Sequence, residues 1–140
     1  MKLDDIYLKN VCEPATFNKP KQNLKLAQQL FQLMLKEQGI GLAANQAGIN
    51  YRVFVMLIND IPYHCFNPEI LQSDGELVSF NEGCLSFKNE RCEIIRPNKI
   101  LVKYYSAHGV ETIKELQGLA SRCFQHELDH LNGITMHDRK

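Results

Sequence analysis

The segment QHELDHLNG, Gln125 to Gly133, constrains this chain more than any other stretch. Its two histidines, His126 and His130, stand four residues apart, which puts them on one face of a helix, one turn above the other. Two imidazoles at that spacing can share a divalent ion, and Glu127, about 100° further round the axis, can reach water beside it. Such a helix turns a polar face inward. The rest of the chain must then wrap around it, packing its apolar back and supplying further ligands to its front.

A catalytic site of this type uses three protein ligands and leaves one position open. An HExxHxxGxxH pattern would need a histidine at position 136, which is Met136, and His137 falls one residue late. No glutamate follows Glu127. The third ligand is therefore expected upstream, where any Cys, His, Asp or Glu qualifies. Cys84, in NEGCLSF, is the foremost candidate because it follows Gly83, which allows close backbone approach. A thiolate with two imidazoles suits Fe²⁺, Zn²⁺, Ni²⁺ or Co²⁺ and disfavours the oxygen-seeking Mg²⁺ and Ca²⁺. The competing reading of Cys84 is a buried, inert thiol, the commoner fate of a free cysteine.

Composition narrows the alternatives. The five cysteines, Cys12, Cys65, Cys84, Cys92 and Cys123, are an odd number without a CxxC pair, which argues against a disulfide framework or a zinc ribbon. Sixteen basic and sixteen acidic residues give no electrostatic case for nucleic acid or membrane as the main partner. The opening MKLDDIYLKN lacks the apolar core of a signal peptide and no apolar run approaches transmembrane length, so a cytosolic location is expected. At 140 residues, a single domain over 1–140 is expected.

The spacing of Leu26, Ala27, Leu30, Phe31, Leu33, Met34 and Leu35 predicts a helix over Leu24–Gln38, with Asn23 as N-cap and Gly39 as stop. A glycine-rich turn, GIGLAANQAG, follows. YRVFVMLI reads as a buried strand, and YHCF as another, closed by Asn67-Pro68. EILQS, ELVSF, RCEII, KILVKYY and VETIKEL read as short strands, the last two joined by a turn at AHG. A final helix is predicted over Leu119–Leu131, ending near Gly133. Strands bracketed by one early and one late helix give an α+β domain.

Three segments, GIGLAANQ (Gly39–Gln46), EGCLS (Glu82–Ser86) and QHELDHLNG, resemble in this order the three signature motifs of the peptide deformylase family. The resemblance implies an α+β fold with antiparallel or mixed β-sheets packed around the C-terminal HExxH helix, plus one N-terminal helix. It implies a metal-dependent hydrolase that removes the formyl group from N-formylmethionyl nascent peptides, releasing formate. Carried onto this sequence, it makes Cys84, His126 and His130 ligands of one divalent ion, Fe²⁺ natively, with Zn²⁺, Ni²⁺ or Co²⁺ as alternatives. Glu127 becomes the general acid/base, and the Gln46 amide and Leu85 backbone N–H become oxyanion donors. Gly39, Gly41 and Gly83 join the substrate-binding set, with Ile40, Phe80, Leu119 and Cys123 lining the methionine pocket. It also implies an ion pair of Glu82 with Arg96, a monomer, transient ribosome contact, and no direct binding of nucleic acid or membrane.

Three features depart from the family pattern. Lys88 stands where a proline is common, in a loop flanking the peptide groove. Arg122 stands one turn before His126, at a position often apolar, where it can sit at the pocket rim with its stem buried, narrow the pocket or stand in solvent, the rim being favoured. The chain also ends at Lys140 without the C-terminal extension of many bacterial members, which resembles phage-encoded short forms. An HExxH endoprotease and a deformylase-like module that binds without turnover are the competing functions. The first lacks its downstream ligand; the second leaves Glu127 without a purpose.

Overall fold

The computed structural model describes residues 1–140. Helix α1 spans Pro20–Lys36, four residues earlier than expected. Pro20 occupies the first helical position, where its missing N–H costs nothing. Asn23 is not the N-cap: it lies inside the helix, buried, with its amide nitrogen donating to the carbonyls of Thr16 (2.8 Å) and Ala107 (3.1 Å). Nor does Gly39 supply the left-handed residue at the other end. Gln38 does, with φ 61°, and the N–H groups of Gln38 and Gly39 return to Leu35 and Met34, closing the helix.

The glycine-rich segment forms strand β1 (Gly41–Ala43) and a 3₁₀ turn, Ala44–Gln46. It is followed by β2 (Val53–Ile58), β3 (Ile61–Cys84), β4 (Phe87–Tyr105) and β5 (Glu111–Gln117). All five strands form one antiparallel sheet in the order β1-β2-β3-β4-β5. The short strands expected between Tyr63 and Tyr105 are thus two long ones. What reads as breaks are irregularities within the β3–β4 ladder, at Phe66/Glu69, Ile70/Gln72, Asp74/Leu77 and Glu82/Cys84. Asn67-Pro68 is one of them. Asn67 takes φ 46° and its side chain pairs with both polar groups of Ala15, so the strand kinks and continues. The turn at AHG is present, with Gly109 at φ 82°.

Helix α2 spans Gly118–Leu131, close to expectation, and a further short helix, α3 (Met136–Arg139), lies beyond Gly133. The sheet separates two cores because strand residues alternate between its faces. On β2, Phe54, Met56 and Ile58 pack with Phe124 and Leu131 of α2, while Val53 and Val55 pack with Leu30 and Met34 of α1. A strand covered on both sides needs the uninterrupted apolar run that β2 has. No helix is long and apolar enough to cross a membrane.

Candidate metal centre

β3 ends at Cys84, which pairs with Phe87 across the tip of the β3–β4 hairpin. The irregularity at Glu82/Cys84 re-aims the strand end toward α2, where His126 and His130 project. Cys84 Sγ lies 3.3 Å from His130 Nε2, and His130 Nε2 lies 3.2 Å from His126 Nε2. The three ligand atoms all fall within 4.8 Å of one another. A tetrahedral ion with ordinary Zn–S and Zn–N bonds holds such atoms roughly 3.3–3.6 Å apart. The donor set therefore fits one soft or borderline divalent cation. His137 stays out of it, stacked edge-on against Phe87 with its Nδ1 3.5 Å from Cys92 Sγ.

The histidines are oriented from behind. Glu82 Oε1 lies 2.9 Å from His126 Nδ1, leaving Nε2 to face the other ligands. Arg96 grips Glu82 with two bonds, Nε to Oε2 at 2.6 Å and Nη2 to Oε1 at 3.0 Å, and reaches Asp129 Oδ2 at 3.0 Å. Arg139 of α3 completes the other side of Asp129. Burial raises the Glu82 pKa, but hydrogen bonds to His126 and Arg96 outweigh it and hold the carboxyl down to about 2. The Glu82–Arg96 pair is thus buried and shared, and Asp129 is enclosed by arginines.

Arg122 is not at the rim. It is buried, donating to Glu82, to Ile94 O at 3.1 Å and to Val78 O at 2.6 Å, with its guanidinium over the Phe80 ring. Arg122 stands four residues before His126 on the same helical stripe, so both meet Glu82 once the fold brings that carboxylate to the helix.

Glu127 is buried, and its Oε1 has no hydrogen-bond partner. Burial pushes its carboxyl up to about 7. Its space is made by β1: a Cβ on Gly41 would stand 2.6 Å from Glu127 Oε2 and 2.7 Å from Cys123 Sγ. Gln46 is also buried. Its Oε1 accepts from Ala43 N at 3.0 Å, which fixes the amide with Nε2 pointing at Ser86 Oγ (3.0 Å) and Cys84 Sγ (3.6 Å). Leu85 sits in the hairpin turn beside Cys84, against Gly39.

These groups open onto a cleft of about 880 Å³. Its floor is α2, one wall is Glu37–Gly41, and the other is the hairpin from Phe80 to Arg91. Ile40, Phe80 and Leu119 line it about half exposed, Cys123 lies buried at its base, and Gly83 edges it. All the site residues expected from sequence line this cleft except His130, which is fully buried and adjoins it through Cys84 and His126. Ser86 and Asn45 were missed. Asn45 hydrogen-bonds the His130 carbonyl from beside Gln46, a role that nothing in AANQ marks.

A cysteine and two histidines gathered at the end of a sheet, facing an HExxH helix and a buried carboxyl group, are the arrangement a metal-dependent hydrolase of α+β fold would need. The chain belongs to the polypeptide deformylase family, whose model matches residues 1–140. It is 43% identical over 136 residues to the peptide deformylase of Thermotoga maritima, covering 96% of this chain and 82% of that protein. It is 40% identical to that of Natranaerobius thermophilus, covering 97% and 87%. The crystal structure of the Thermotoga maritima enzyme superposes with a TM-score of 0.91, covering 96% of this chain and 91% of that one. The family is metal-dependent.

Proposed function

We propose that this chain hydrolyses the formyl amide of N-formylmethionyl peptides, releasing formate, with Cys84, His126 and His130 holding one divalent ion, natively Fe²⁺. The observation that carries this reading is the Gln46 amide, locked by Ala43 and aimed at Cys84 beside the HExxH helix. An HExxH endoprotease has no need of that pairing, and a module that only binds has no need of a buried, unpartnered Glu127.

A bound ion would supply Lewis acidity, lowering the pKa of water and polarising the formyl carbonyl. The chain's own residues do the rest. Glu127 takes a proton from the attacking water and returns it to the departing amine nitrogen as the C–N bond breaks. Its buried setting, with a pKa near 7, suits both halves of that task. As the carbonyl carbon becomes tetrahedral, its oxygen gains negative charge, which Gln46 Nε2 and the Leu85 N–H stabilise without reorganising. The peptide runs along Gly39–Gly41 as an added strand, because the outer edge of β1 pairs with no other strand. The methionine side chain enters between Ile40, Phe80 and Leu119, above Cys123. Zero net charge gives no general electrostatic pull toward the ribosome's RNA, which agrees with contacts that are only transient.

The decisive variant is Glu127→Ala. It should keep a full complement of metal by elemental analysis yet lose at least a hundredfold in kcat on formyl-Met-Ala. Wild-type turnover by the metal-loaded variant would sink the mechanism.

A further inference from the structure

The two walls of the cleft meet in a series of contacts leading away from the metal ligands. Nearest them, Gly41 faces Glu127; next, Gly39 faces Leu85; furthest out, Glu37 Oε2 meets Lys88 Nζ at 2.7 Å. Glu37 belongs to the end of α1 and Lys88 to the start of β4, so this ion pair joins one wall to the other. Both residues border the cleft. Of the other charges on the cleft, Arg91 donates to Asn81 O and Glu90 faces His137, while Lys36, in the last turn of α1, acts on Glu37 only through its field.

We infer that the Glu37–Lys88 pair is a charge-neutral specificity clamp over the second and third residues of the substrate. This rests on reading the cleft as a formyl-peptide groove. A strand advances roughly 3.3 Å per residue. A peptide with its formyl carbon at the ligands and its methionine beside Gly41 therefore brings its next two residues past Gly39 to Glu37. Paired, the two charges cancel each other, and neither selects for acidic or basic residues. That indifference suits an enzyme whose substrates share only their first residue. Unpaired, either charge would select.

The test uses metal-loaded protein and formyl-Met tripeptide amides with Asp or Lys placed at the second or third position. The readout is the ratio of kcat/KM for the Asp peptide over the Lys peptide. Wild type sets the reference ratio. Glu37→Gln, which frees Lys88, should raise it about twofold to fivefold, the range open to an exposed ion pair. Lys88→Gln, which frees Glu37, should lower it by a similar factor, and the double variant should return to the wild-type ratio. High salt should erase both preferences. General damage to the fold cannot move the two single variants in opposite directions. Ratios that stay constant at both positions, or that move the same way in both variants, overturn the inference alone. If metal-loaded wild type turns over no formyl peptide, the functional reading falls and the clamp with it.

Discussion

Gly41 shows how closely the site is fitted to single atoms. A methyl group there would stand 2.6 Å from the Glu127 carboxylate, and the Cys123 sulfur blocks the other way out. Gly41→Ala should therefore displace the carboxylate without touching any metal ligand. A displacement near 1 Å from a productive geometry costs on the order of a hundredfold in rate. The variant should show that loss in kcat on formyl-Met-Ala while retaining metal, and a kcat within twofold of wild type would refute the fit. At this scale most of the site was legible in sequence, because Gln46, Cys84, Glu127 and the histidines sit in short segments whose chemistry is local. Arg122 was misplaced for the opposite reason. Its partner, Glu82, is 40 residues away, and only the fold brings the carboxylate to the helix. The same holds for Arg139, which answers Asp129 from a short helix that no periodicity announces.

Among the elements, β3, β4 and α2 are joined by one carboxylate. Glu82 of β3 receives Arg96 from β4 and Arg122 from α2, and it holds His126 of α2 in place. Removing its charge leaves Arg122 buried with no anion, and Arg96 with only the Asp129 carboxylate it shares with Arg139, at the point where the three elements meet. Breaking a buried pair on one side typically costs 3–5 kcal/mol. Glu82→Gln should thus lose about 3 kcal/mol or more in urea denaturation of the metal-free protein, where ion binding cannot mask the effect. A loss below about 1 kcal/mol would mean that water already reaches these arginines. The helices were easier to read than the strands. Apolar spacing located α1, and the histidine spacing with the stop near Gly133 located α2, though proline rather than asparagine sets where α1 begins. The β3–β4 ladder was not legible as two long strands, because Asn67-Pro68 and Asp74-Gly75 carry turn residues. A turn and a bulge ask the same thing of a residue: φ away from the strand value, here 46° at Asn67 and 77° at Gly75.

Across the whole molecule, the apolar and polar interiors do different jobs. Two apolar cores, one on each face of the sheet, hold α1 and α2. The polar interior between the hairpin tip and α2 is a chain of charges ending in three ligand atoms. The two histidines hold protons unequally. Burial works against a charged His126, but Cys84 and Glu82 hold its pKa up to about 10, while burial and His126 pull His130 well below its ordinary value. On the proposed reading, a cation would displace protons from the site and favour the folded chain, which draws Cys84 and His126 together from 42 residues apart in sequence. Binding restricted to the native state stabilises it by about 2.7 kcal/mol at a hundredfold excess over Kd. For a chain of this size, that corresponds to roughly 5–10 °C in Tm. Ni²⁺ or Zn²⁺ added to chelator-stripped protein should raise Tm by that amount, and chelator should reverse it. Cys84→Ser replaces the soft thiolate with a neutral hydroxyl and should lose most of the rise, while Glu127→Ala, which removes no ligand, should keep it. If Glu127→Ala lost the rise as fully as Cys84→Ser, Glu127 would be a ligand and its place in proton transfer would have to be surrendered.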